Sequence, residues 1–166
     1  KSRSRGLGDV YKRQVLNVDG VSYTFPVGGA TVFVGDNTDA SALFTTACAY
    51  GGPSNTLDDC GNVNAGVTGG GSAIGASYDF DNGFTAAIGY AGEGSSTAGL
   101  GTAEGLDVYG INGAYSTDTY GVSVTFGHVE AVVASSGVLA SDDQFMAVNG
   151  YWTPEGFPSI SVGYEW

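Results

Sequence analysis

The stretch SAIGASYDFDNGFTAAIGYAGEG, Ser72 to Gly94, decides the fold. Ile74, Ala76, Tyr78 and Phe80 fall on one side of an extended chain, and Ala73, Gly75, Ser77 and Asp79 on the other. That is the period of two of a β-strand, not the 3.6 of a helix. At DNG (Asp81 to Gly83) the alternation stops, then restarts with Phe84, Ala86, Ile88 and Tyr90 against Thr85, Ala87 and Gly89. Asn and Gly tolerate the positive φ that tight hairpins require, so the stretch reads as two antiparallel strands joined by a short turn. One face of the hairpin is bulky and apolar, and the other is small or polar.

Working outward, the same alternation predicts eight strands, at Val21 to Phe25, Ala30 to Gly35, Ser72 to Phe80, Phe84 to Ala91, Leu106 to Ser116, Thr119 to Val129, Asp143 to Trp152 and Pro158 to Trp166. Short turns, PVGG (Pro26 to Gly29), DNG, TD (Thr117, Asp118) and TPEGF (Thr153 to Phe157), alternate with long connections at about 36–71, 92–105 and 130–142. Transmembrane β-barrels sort their connections this way, with short turns on one side of the membrane and long loops on the other. The expected fold is all-β, an antiparallel up-and-down transmembrane β-barrel, incomplete, with about eight strands visible.

The faces support this. Tyr120, Val122, Val124 and Phe126 oppose Gly121, Ser123, Thr125 and Gly127, and Ile160, Val162, Tyr164 and Trp166 oppose Ser159, Ser161, Gly163 and Glu165. A soluble sandwich dresses its second face with long charged residues. Here that face is Gly, Ser, Ala and Thr, which suits a concave interior. Rings bracket each short turn, at Phe25, at Phe80 and Phe84, at Tyr115 and Tyr120, and at Trp152 and Phe157, as in an aromatic belt at the headgroups. A second set, Tyr90, Tyr109, Phe126 and Tyr164, lies about six residues further along, roughly 14 Å up a tilted strand and inside the apolar band. A surface-exposed soluble β-sandwich or adhesin-like binding domain is the alternative.

Charge divides the chain. All five basic residues, Lys1, Arg3, Arg5, Lys12 and Arg13, precede Gln14, and beyond it sixteen acids stand against no Lys or Arg. Residues 1–14 (KSRSRGLGDVYKRQ) resemble translated adaptor sequence and read as a non-native segment, leaving 15–166 as the barrel domain. A native basic arm is the other reading. The acidic body disfavours nucleic acid, since phosphate contacts need clustered Lys and Arg. Neither a signal peptide nor a transmembrane helix is legible.

Three segments, Ser72 to Gly94, DVYGINGAYSTDTYGVSVTF (Asp107 to Phe126) and NGYWTPEGFPSISVGYEW (Asn149 to Trp166), resemble the barrel region of cyanobacterial outer-membrane porins of the carbohydrate-selective or iron-uptake type. The likeness runs in pattern from about Val21 to Trp166 and is most specific in the last segment. It implies a bacterial outer-membrane location, with lipid, small hydrophilic solutes and cations as partners. Such porins are longer, with an N-terminal S-layer-homology domain, so this chain reads as a fragment. The total strand number, the standing of Trp166 as a C-terminus and the choice between single copy and homo-oligomer stay open.

Candidate lumen and selectivity residues are Asp79, Asn112, Ser123, Thr125 and Glu165, and Asp36, Asp39, Asp58, Asp59, Glu93, Glu104, Asp142 and Asp143 form an expected acidic mouth. Sixteen uncompensated acids make the local potential negative and concentrate cations. Cys48 and Cys60 sit in one polar stretch with no His nearby to complete a metal site, which favours a disulfide staple over free thiols. No metal and no cofactor are expected, because the acid clusters lack the spacing of a calcium loop. Enzymatic chemistry is not expected either. His128 is the only histidine and lies on the bulky-face parity near its strand's outer end, and GVTGGGSAIG (Gly66 to Gly75) lacks the Lys of a P-loop.

Overall fold

A computed structural model describes residues 20–49, 60, 62, 65, 71–92, 101, 106–130 and 142–166. Segment 1–14 therefore lies outside the described residues, as do Asp58, Asp59, Glu93 and Glu104 of the expected mouth. Eight strands are present: β1 (Val21–Val27), β2 (Ala30–Asp36), β3 (Ser72–Asp79), β4 (Phe84–Gly92), β5 (Asp107–Ser116), β6 (Tyr120–Val129), β7 (Asp143–Trp152) and β8 (Ile160–Glu165). They form one antiparallel sheet in the order β1 to β8, each strand paired with its neighbours in sequence. No helix occurs among the described residues.

The sheet is open. Among the described residues β1 pairs only with β2 and β8 only with β7, so the strands run antiparallel and up-and-down as expected, in a sheet that is not closed into a barrel. Strand ends move by a residue or two for local reasons. β1 runs on through Pro26 to Val27, because an edge strand tolerates a residue that cannot donate to the ladder. Its turn shrinks to Gly28 and Gly29, with Gly28 at φ 60°. At DNG the positive φ falls on Asp81 and Gly83, while Asn82 Oδ1 accepts the Phe84 N–H.

Register fixes which residues share a face. On the bulky side Ile88, Ile111 and Phe126 stand in one cross-strand row, as do Tyr78, Ala86, Gly113 and Val124. That side is open: Ile88 is 58% exposed, Ile111 54% and Val162 69%. The rings around the short turns touch in series, Tyr78 to Phe80 at 4.8 Å between centroids, Phe84 to Tyr115 at 4.6 Å and Tyr115 to Tyr120 at 6.0 Å. The second ring set does not share a row. Tyr90 pairs with Tyr109, but Phe126 pairs with Ile111 and Tyr164 with Val148.

Much of the small side from β4 to β8 is covered by the chain itself. Gly75, Gly89, Gly110 and Gly127 form a four-strand row flanked by Phe33 and Phe145. Residues 37–49, with Cys60, Asn62 and Ala65, lie as a strap across that side. Where the strap enters, Ala40, Leu43 and Phe44 pack with Phe33, Ala73, Ala91, Val108, Leu106 and Val129 into a small apolar cluster. This cluster sits at the long-connection end of the sheet. The other end of the same face is closed by Tyr151, whose ring occupies the space above Gly121 and whose hydroxyl donates to Thr117 O at 2.6 Å.

Candidate functional site

Among the described residues, polar side chains from four strands, β5 to β8, converge on the inner face and its strap, so the candidate site is built there. Strap entry begins at Asn37, in the left-handed region at φ 52°, a conformation Asn tolerates better than most residues. Asn37 N–H donates to Gly71 O at 2.9 Å, which holds the two ends of the β2–β3 connection together at the rim. Turns at Asp39 to Ala42 and Ser41 to Phe44 then aim the chain inward.

From there the sheet grips the strap mainly by its backbone. On β5, Asn112 Oδ1 accepts the Thr45 N–H at 2.9 Å and Nδ2 donates to Thr45 O at 3.0 Å. On β6, Ser123 Oγ accepts the Ala47 N–H at 2.8 Å, and on β8, Ser161 Oγ accepts the Ala49 N–H at 2.7 Å. The returning limb is held in the same way. Asn149 Nδ2 on β7 donates to Cys60 O at 2.7 Å, and Glu165 Oε2 on β8 accepts the Ala65 N–H at 2.8 Å. Asn62 Nδ2 bridges Thr46 Oγ1 at 3.2 Å and Thr125 Oγ1 at 3.5 Å. Cys48 and Cys60 are joined by a disulfide, with Cα atoms 6.1 Å apart, which ties the outgoing limb to the returning one.

The path is oblique. Ala40 lies over the row of Gly89, Thr45 over that of Asn112, Ala47 over that of Ser123 and Ala49 over that of Ser161. Each row is two residues further along the strands, so the strap descends roughly 20 Å while crossing from β4 to β8. Two glycines make room for it. A Cβ on Gly89 would overlap the Ala40 carbonyl, and one on Gly163 would overlap the Cys60 carbonyl.

This changes how the expected lumen residues are used. Asn112, Ser123 and Thr125 do face inward, but they are buried, at 5%, 1% and 0% exposure, and hydrogen-bonded to the strap or to one another, with Asn112 Nδ2 to Thr125 Oγ1 at 2.8 Å. Glu165 is engaged through Ala65. Asp79 stays exposed at the turn end, where its Oδ1 accepts the Asp81 N–H. Asp36 and Asp39 are exposed at the strap's entry, and Asp142 and Asp143 are exposed on the same rim at the start of β7. The structure thus brings the inward residues together around a piece of chain, while Asp79 and the described acids of the expected mouth stay at the periphery.

Sequence reasoning missed two grips, one glycine that makes room, and the strap itself. Asn149 and Ser161 lay on the small-face parity and were not singled out, nor was Gly163. The available signal was the glycine and alanine content of that face beside a connection of some thirty-five residues carrying a cysteine pair. At the rim of the bulky face His128 stacks on Tyr109 with centroids 4.7 Å apart, and its Nε2 is 3.8 Å from Asp142 Oδ2. Nearby, the Tyr90 hydroxyl donates to the buried Asp107 carboxylate. Among the described residues no group of three His, Cys, Asp or Glu is placed to hold a metal ion. Comparison with protein-family models, with curated proteins and with solved structures gives no match to this chain.

Proposed function

We propose that this chain is part of the wall of a bacterial outer-membrane pore that passes small hydrophilic solutes or inorganic ions, favouring cations. One observation carries the reading: the sheet is sided the opposite way from that of a water-soluble protein. Most of its bulky apolar side chains along β3 to β8 are exposed, from 38% at Met146 and Val148 to 69% at Val162, whereas Asn112, Ser123, Thr125 and Asn149 are buried under the strap. Transfer of one exposed Ile or Phe out of water yields roughly 1.5–3 kcal/mol, so a whole face of them calls for an apolar surrounding. Lipid supplies one, and the rings around the short turns match the headgroup level of a β-barrel wall.

In this reading the open edges of β1 and β8 are completed by further strands, because unpaired backbone groups have no water to bond in a bilayer. The strap lies on the lumen side. A solute then meets the strap and the rim rather than Asn112, Ser123 or Thr125. Selectivity falls to exposed carboxylates such as Asp36 and Asp39, whose field is screened beyond about 8 Å at physiological salt. No cofactor or metal takes part.

The test is conductance. The full-length protein, with the further strands that complete the sheet, solubilised in detergent and inserted in planar bilayers, is expected to give stepwise currents with a reversal potential on the cation side in a KCl gradient. Inserted protein that carries no current ends the pore reading. A monodisperse fold in water without detergent would favour a soluble β-domain instead.

A further inference from the structure

The strap is held by two different means along its length. Its first part, around Ala40, Leu43 and Phe44, is packed into the apolar cluster at the rim. Among the described residues its second part does not join that cluster. Ala47, Ala49, Cys60 and Ala65 are each held by a hydrogen bond to a wall side chain, a contact that contributes only about 0.5–1.5 kcal/mol net. The covalent tie falls in this second part. Cys48 lies between the gripped Ala47 and Ala49, and Cys60 presents its own carbonyl to Asn149. Both cysteines are partly exposed.

We propose that the Cys48–Cys60 disulfide is a reducible latch, and that cutting it frees the second part of the strap from the inner face while the first part stays seated. The proposal rests on the pore reading for its consequence, a wider passage beside β6 to β8. The chemistry is exchange with a dithiol. A thiolate of the reductant attacks one sulfur of the disulfide, the S–S bond breaks and the other cysteine leaves as a thiolate. The second thiol of the reductant then resolves the mixed disulfide. Two electrons and two protons end on Cys48 and Cys60, and the reductant leaves as a cyclic disulfide.

Loss of the tie matters because it is what keeps the two limbs near each other once a hydrogen bond opens. A disulfide of this span restricts the released chain strongly, so its removal shifts the seated-to-released balance by about tenfold or more. The apolar cluster is untouched by reduction, which predicts a boundary near Phe44.

The experiment uses the full chain in detergent micelles, folded with its disulfide intact and then treated with dithiothreitol, so that refolding is not in question. Amide hydrogen exchange is expected to rise by about tenfold or more at Ala47, Ala49 and Ala65. Rates at Ala42 and Phe44 and in the wall strands should hold. The double variant C48S/C60S should show the same pattern without reductant. Unchanged rates at the three alanines, or a uniform rise across the sheet, overturns the latch. Bilayer conductance read in parallel separates the two claims. A strap that loosens in a chain carrying no current keeps the latch and discards the pore, whereas a conducting chain with unchanged strap rates discards the latch.

Discussion

On β6, Val122 and Val124 are 45% and 43% exposed, whereas Ser123 and Thr125, one residue along in each case, are exposed by 1% and 0%. The β8 strand repeats the contrast, with Val162 and Tyr164 open and Ser161 and Glu165 engaged with the strap. In a half-buried sheet facing water the assignments are reversed, with the aliphatic residues inside. The comparison teaches that the two faces solve different problems. The inner face satisfies backbone groups of a chain segment that would otherwise lie unpaired in a crowded interior, while the outer face offers almost nothing but hydrocarbon and aromatic edges.

The largest expected effect breaks the outer half of this comparison. Ile111→Arg puts a charge at the middle of the bulky face, and if that face lies in lipid it destabilises the chain by about 2–4 kcal/mol. The same charge at Tyr120, beside a short turn, should matter by only about 0–1 kcal/mol. Unfolding followed in lipid vesicles measures both. If the face meets water, the two substitutions differ little and each stays near 0.5 kcal/mol.

Next in size is a test of the inner half. Gly163→Val drives a side chain into the Cys60 carbonyl, so the strap must shift or lift, at an expected 1–3 kcal/mol or so. Gly113→Val, on the bulky face of β5, meets nothing within 4 Å and is expected to be neutral or slightly stabilising. Denaturant unfolding separates them, and protease nicking between the cysteines should accelerate only in the Gly163 variant. Equal effects would mean that the strap does not depend on the small residue beneath it.

The eight strands were legible because alternation is a local property. Ser72 to Gly94 states its period, its turn and its two faces without reference to any other part of the chain. The strap was not legible, since TDASALFTTACA (Thr38 to Ala49) has neither period nor turn signature strong enough to place it. Its course is set by partners such as Asn112 and Ser161, the second more than a hundred residues away in sequence. For the same reason Asn112, Ser123 and Thr125 could be assigned to the inner face but not to their actual partners. Parity says which way a side chain points, and only the strap's path says what it finds there.

Ser123 and Ser77 put this last point in measurable form. Both are serines on the small-face parity of a paired strand, Ser77 opposite Ala87 and Ser123 opposite Ala114. Ser123 lies under the strap and accepts the buried Ala47 N–H, whereas Ser77 on β3 lies off the line of grips from Asn112 to Ser161. Ser123→Ala should therefore leave a buried donor unpaired and destabilise by about 1 kcal/mol or somewhat more. Ser77→Ala removes no such partner and should stay within about 0.5 kcal/mol. Paired unfolding curves in the same detergent decide the matter. Equal costs would mean that Ser123 is held by the wall alone and that the strap's hydrogen bonds contribute nothing to its seating.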